Sequence, residues 1–173
     1  MTERQRILGI DPGSRITGFG IVDFVDEGAC YVASGSISSD DGPFTERLRV
    51  IFRAITQIAD EYRPDCVAIE SVFVHRNAMS ALKLGHARSA AMCATFALDI
   101  RVFEYAPREI KLAIVGNGAA SKLQVQHMVV SLLGLQGTPR PDASDGLAAA
   151  LCHGHQSRLR ARLDKAAVMA GSR

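Results

Sequence analysis

The chain has 173 residues, a length that suits about one domain with a proper hydrophobic core. Hydrophobic residues make up 47% and charged residues 22%, ordinary for a globular protein, and no apolar run reaches the ~18 residues of a membrane span. The formal net charge is only +2, but residues 1–75 carry net −5, residues 76–122 net +4 and residues 123–173 net +3. This asymmetry is compatible with one face that meets a polyanion and another that does not.

Three strands are expected first, over 6–11, 16–25 and 30–38, the last with Tyr31, Ala33, Gly35 and Ile37 on one side by period two. Asp11-Pro12-Gly13 reads as a type II turn with glycine at the φ > 0 position. Strands joined by short turns form an antiparallel meander. A helix is expected over 43–62, with Leu48, Ile51, Phe52, Ile55, Ile58 and Tyr62 on its apolar face. Residues 65–70 follow as a strand buried on both faces.

Residues 78–98 read as a long alanine-rich helix, suited either to a subunit interface or to plain core packing. A fifth strand spans 101–105, and a short helix over 107–115 enters Gly116-Asn117-Gly118, expected to be pliable. Helices over about 120–134 and 142–155 complete the order, the first with Val125, Met128, Val129, Leu132 and Leu133 inward. The class is therefore α/β, with a five-stranded mixed sheet flanked by helices and reached in part through crossovers. One domain is expected over 1–156, followed by a basic, disordered tail over 157–173. No secretory h-region is visible at the N-terminus. The scattered Cys30, Cys66, Cys93 and Cys152 read as reduced, buried thiols of a cytoplasmic protein.

Four carboxylates carry the chemistry. Asp11 ends the apolar run 7–10, and Glu70 ends the run 66–69. A charge at the end of a buried strand costs several kcal/mol or more, at order of magnitude, without a compensating partner. Asp142 and Asp145 open an apolar helix and share one of its faces. As first-turn acids they also gain from the helix dipole, a sufficient structural reason for that pair by itself. No lysine or arginine adjoins any of the four in sequence. A divalent cation is the economical counter-charge, and oxygen-only ligands suit magnesium or manganese rather than zinc. His153 and His155, two apart on a helix, face different ways and make a poor metal pair.

The stretch Gly9-Ile10-Asp11-Pro12-Gly13-Ser14-Arg15-Ile16-Thr17-Gly18-Phe19-Gly20 resembles the opening motif of the RuvC family of Holliday junction resolvases. Ala68-Ile69-Glu70-Ser71-Val72-Phe73, Asn77-Ala78 and Ala81-Leu82-Lys83-Leu84-Gly85 continue the likeness. So do Phe103-Glu104-Tyr105, Lys111, Val115-Gly116, Lys122 and Gln124-Val125-Gln126-His127-Met128, and Asp142-Ala143-Ser144-Asp145-Gly146-Leu147-Ala148 closes it. The resemblance covers about residues 6 to 155. It implies an RNase H-like fold and a homodimer that resolves four-way DNA junctions by two symmetric metal-dependent nicks, in recombination and repair.

The same resemblance makes Asp11, Glu70, Asp142 and Asp145 the catalytic acids and the ligands of two magnesium ions, with manganese as a substitute. It makes Lys111 and Lys122 DNA-contacting residues, and Phe73 an aromatic that stacks on an unpaired base. Arg76 and Lys83, close to Phe73 in the chain, join them as candidate DNA contacts. A branch-migration complex, RuvA with RuvB, is the partner the family implies. Three other functions are weighed: a related nuclease acting on structured RNA, a junction-binding scaffold without catalysis, and an actin-like ATPase. The last needs two such domains, and the chain has room for one.

Overall fold

Alternation along the first strand, β1 (Gln5–Asp11), sets the layers of the molecule. Ile7 packs into one core with Val22, Phe24, Leu147 and Leu151, while Leu8 and Ile10 pack into another with Ile51, Ile55 and Ala91. The other strands are β2 (Ile16–Val25), β3 (Gly28–Ser38), β4 (Cys66–Glu70) and β5 (Arg101–Tyr105), in the spatial order β3-β2-β1-β4-β5. β1, β2 and β3 form the antiparallel meander, and β4 and β5 run parallel to β1. The computed structural model describes residues 4–26, 28–39, 42–71 and 77–171.

Helices α1 (Phe44–Tyr62) and α2 (Ala78–Cys93) cover the face that holds Leu8 and Ile10. Helices α3 (Pro107–Val115), α4 (Lys122–Leu133) and α5 (Pro141–Gly171) cover the other. Two side chains assigned inward by spacing are exposed. The stripe of α1 is centred on Ile55, between Ile51 and Ala59, and Phe52 lies at its margin, about 60° round the helix from Ile55. On α4 the buried row is Val125 and Val129, and Leu132, almost in line with Val125, is exposed in the last turn of the helix.

Other departures have local causes. The helix expected over 78–98 stops at Cys93, and Phe96–Leu98 forms a separate 3-10 turn. The Thr95 hydroxyl donates to the Met92 carbonyl at 2.8 Å, giving that carbonyl a partner outside the helical ladder. Part of the alanine stripe serves the core, since Ala87 and Ala91 are buried in the same cluster as Ile51 and Ile55 of α1. The register of β3 against β2 shifts between Ile21, paired with Ala33, and Val22, paired with Tyr31, so Tyr31 leaves the common side and is exposed. All four cysteines are free, but only Cys66 and Cys152 are buried; Cys30 and Cys93 are exposed. Burial pushes the Cys66 and Cys152 thiols up to about 12, which leaves them unreactive.

The largest correction concerns the C-terminus. The sequence predicts a last helix over 142–155 with a disordered tail beyond, yet α5 runs unbroken to Gly171. Residues 156–170 contain neither glycine nor proline and are rich in Arg, Leu and Ala, all good helix formers. Its first turn past 156 is also docked. The Ser157 hydroxyl donates to Gln5 Oε1 at 3.3 Å, and the Arg158 guanidinium lies 5.1 Å from the Phe24 ring centroid. Among the described residues no helix is long and apolar enough to cross a membrane.

Candidate active site

Strand parity explains how the acids meet. Asp11 lies on the same side of β1 as Ile7 and Gly9, and Glu70 on the same side of β4 as Cys66 and Ala68. That side is the one covered by α5. The parallel register pairs Ile10 with Ile69, so Asp11 and Glu70 emerge side by side at the carboxyl ends of neighbouring strands. Asp142 and Asp145 occupy the start of α5, above the same strand ends.

Glycines allow that helix to come so close. Asp11 pairs with Gly18 on β2, and a Cβ at Gly18 would collide with the Asp142 carbonyl. At Gly20 a Cβ would sit 2.6 Å from the backbone of Leu147, and at Gly146 it would sit 2.6 Å from the carbonyl carbon of Phe19. The start of α5 is thus in backbone contact with β1 and β2, a closeness that only glycine permits.

The loop after Asp11 is held from three sides. The buried Thr17 hydroxyl donates to the Gly13 carbonyl at 3.0 Å, and the Gly13 N–H donates to the Thr17 Oγ1 at 3.3 Å. The Ser39 N–H donates to the Arg15 carbonyl at 2.8 Å, and the Arg47 guanidinium donates to the Ser14 carbonyl. Gly13 does not take a positive φ, so the turn is not type II. Glycine is needed there because a side chain would strike the Ile16 carbonyl.

Electrostatics bind the cluster together. Burial, then the nearby charges of Glu70, Asp145 and Asp142, push the Asp11 carboxyl up to about 8, with Lys122 acting the other way. Glu70 is pushed up to about 7, by burial first and then by Asp145, against the pull of Lys122 and Lys111. The cluster does have a basic neighbour, although one remote in sequence. Lys122 Nζ lies 2.9 Å from Asp145 Oδ2. Lys122 is the first residue of α4, where the helix dipole disfavours a cation, and Asp145 offsets that.

Among the described residues, no three acidic, histidine or cysteine side chains are drawn tightly enough together to ligate one ion. Lys122 draws Asp145 to itself. The donors nevertheless fit a hard divalent cation: they are oxygen-only, they converge from three elements, and they are short of positive charge.

The other expected contacts are spread out. Lys111, on α3, is partly buried and near enough to Glu70 to act on its charge. Lys83 is exposed on α2, in the layer opposite α5, and no described hydrogen bond or ion pair links it to the acids. Phe73 and Arg76 lie outside the described residues. The loop between Lys111 and Lys122 is more ordered than Gly116-Asn117-Gly118 suggests. Gly116 ends α3 at φ 76°, Asn117 Oδ1 accepts from the Ala119 N–H at 2.9 Å, and Ser121 and Gln124 cap α4 reciprocally. No local pattern marks Thr17, Ser39 or Arg47 in the sequence. For the glycines, the period-two pair Gly18 and Gly20 on a buried strand is the available signal.

A family model described as crossover junction endodeoxyribonuclease RuvC matches residues 7–153. The chain belongs to the RuvC family. A RuvC from Alkalilimnicola ehrlichii is 53% identical over 161 residues, 93% of this chain and 98% of that one. One from Methylococcus capsulatus is 52% identical over 160 residues, 92% and 96% of the two chains. Among solved structures, Thermus thermophilus RuvC in complex with Holliday junction substrate superposes with a TM-score of 0.83 at 34% identity, covering 90% and 96%. The yeast mitochondrial Holliday junction resolvase Ydc2 shares the fold at 10% identity, with a TM-score of 0.67 over 90% of this chain and 82% of that one. The sheet and its flanking helices are therefore RNase H-like, as in these resolvases. The protein is an endodeoxyribonuclease of a metal-dependent family.

Proposed function

We propose that this endodeoxyribonuclease resolves four-way DNA junctions by paired nicks, using Asp11, Glu70, Asp142 and Asp145 as its catalytic acids. One observation carries this assignment of residues: adjacent parallel strand ends deliver Asp11 and Glu70 to the side where α5 delivers Asp142 and Asp145. The four carboxylates hold two magnesium ions, with manganese as a substitute. Bound there, the ions supply an activated water and a counter-charge for the leaving 3′ oxygen. The protein's own part is to place and desolvate the carboxylates, hold the scissile phosphate with Lys122 and Lys111, and keep the loop after Asp11 rigid. As point charges on capped helices, both lysines suit phosphate contact.

Phe73 stacks on a base unpaired at the opened crossover, with Arg76 and Lys83 on the flanking backbone. A two-fold junction needs two equivalent cuts, which a C2 homodimer supplies. Met79, Leu82, Phe52 and Val50, exposed on α1 and α2, are apolar surface available for that contact. The enzyme works in the cytoplasm, in recombination and repair, alongside RuvA and RuvB.

The test uses end-labelled four-way junction and linear duplex, each with Mg2+ and with EDTA. Symmetric nicks in the junction only, lost in EDTA, are expected. Binding without nicks would make the protein a scaffold, and inactivity on both would direct the search to structured RNA. Phe73→Ala should slow resolution while leaving duplex affinity unchanged; unaltered resolution would remove the stacking role.

A further inference from the structure

Tyr105 and His153 stand where the carriers of the acids meet. Tyr105 ends β5 and pairs across the parallel register with Glu70. Its carbonyl also accepts the Ser71 N–H at 2.8 Å, so Tyr105 borders the chain on which Glu70 sits. His153 lies on α5, about three turns beyond Asp142. The Tyr105 hydroxyl and His153 Nδ1 are 2.7 Å apart, and both residues are buried. The imidazole rests on Phe103, with ring centroids 4.2 Å apart. Among the described side-chain hydrogen bonds, this one joins α5 to β5.

The pair is an odd choice for a core. A buried polar group is tolerated when fully bonded, yet His153 Nε2 is buried without a partner. Burial also drives the imidazole down to about 4, so it is neutral at working pH. Two apolar side chains of similar volume would fill the space without that cost. A stability role alone does not account for the pair, whereas its position does. α5 is locked to β1 and β2 by backbone contact at Gly18, Gly20 and Gly146. Toward β4 and β5 it meets the sheet through side chains, and Tyr105–His153 is the directional link there.

We propose that Tyr105 and His153 are a positioning pair that fixes the separation of Glu70 from Asp142 and Asp145, and with it the affinity of the site for its divalent cation. This rests on the assignment of those three acids as the cation's ligands. Neither residue touches the ion or the DNA; the pair acts through the strand end and the helix.

Calorimetric titration of Mn2+ into the full-length protein without DNA tests it, alongside Mg2+ dependence of junction cleavage and junction affinity in EDTA. Tyr105→Phe should weaken Mn2+ binding on the order of tenfold, the lower range for loss of an outer support. It should raise the Mg2+ needed for half-maximal cleavage to match, and leave junction affinity unchanged. His153→Leu should do the same, whereas His153→Asn, which offers hydrogen-bonding atoms near Nδ1, should restore Mn2+ affinity. Parental Mn2+ affinity in Tyr105→Phe, even with a lowered melting temperature, would overturn the proposal, as would His153→Asn no better than His153→Leu. Glu70→Gln separates the two levels. If it cuts and binds Mn2+ normally, the assignment of the acids fails. If it is inactive while Tyr105→Phe binds Mn2+ normally, only the positioning role fails.

Discussion

Lys122 holds its ammonium 2.9 Å from Asp145 Oδ2, so the acidic cluster is built with a cation of its own. A divalent ion entering the cluster competes with that ammonium for the same oxygen. Lys122→Gln should therefore bind Mn2+ at least as tightly as the parent in the absence of DNA. It should cut about 10²-fold more slowly, because a charge aimed at the scissile phosphate is gone. Calorimetry and single-turnover cleavage check the two halves. Weakened Mn2+ binding would mean that Lys122 supports the geometry of the acids instead.

The metal-free site strains against its own charge. Asp11 at about 8 and Glu70 at about 7 both lie above the ~4 of an unfolded chain. Folding therefore takes up protons between about pH 4 and 8, and the stability of the metal-free protein falls as pH rises through that window. Asp11→Asn removes one such charge and nearly preserves shape. In EDTA at pH 8 it should be more stable than the parent by at least ~1 kcal/mol, about 2–4 °C in melting temperature. It should bind junctions and fail to cut them. A lower melting temperature would show that the carboxylate makes a stabilising contact.

Protons and the divalent cation compete for the same oxygens. At limiting Mg2+ the cleavage rate should climb between about pH 6 and 8, as Glu70 and then Asp11 give up their protons. Raising Mg2+ should move the rise to lower pH. Rate profiles measured at two Mg2+ concentrations decide this, and a midpoint indifferent to Mg2+ would refute it.

Gly20 faces the backbone of Leu147, with room for a hydrogen and not for a methyl. Gly20→Ala should cost about 3 kcal/mol, at the upper end of ordinary overpacking, because the obstacle is backbone rather than a flexible side chain. Urea unfolding measures it. A loss under ~1 kcal/mol would show that α5 can lift from the sheet without penalty.

Much of this was legible in the sequence because it rests on period and position. Strand parity follows from alternation, and it places Asp11 and Glu70 with Gly9 and Ala68 on one face. The start of α5 is legible to within a residue from the acids Asp142 and Asp145 that open it. What stayed hidden depends on distance in space. Lys122 and Asp145 are 23 residues apart in the chain, and no local pattern joins them. Arg47 reaches the loop after Asp11 from α1. Phe52 and Leu132 have the right spacing, but spacing does not say how far the covering elements reach: Phe52 lies at the margin of its stripe and Leu132 in the last turn of its helix. In the C-terminal helix the charge of residues 156–170 suggests disorder, while the helix propensity of the same residues wins.

The glycine contacts divide the site into two kinds of wall. Where β1 and β2 meet α5, main chain touches main chain, and the spacing of Asp11 from Asp142 leaves no side chain to resize. A substitution there is tolerated as glycine or breaks the seat. Where β4 and β5 face α5, the spacing passes through side chains that can be exchanged by small steps. Gradual adjustment of this nuclease, by selection or by design, is therefore confined to the Glu70 side, while the Asp11 side is inherited whole.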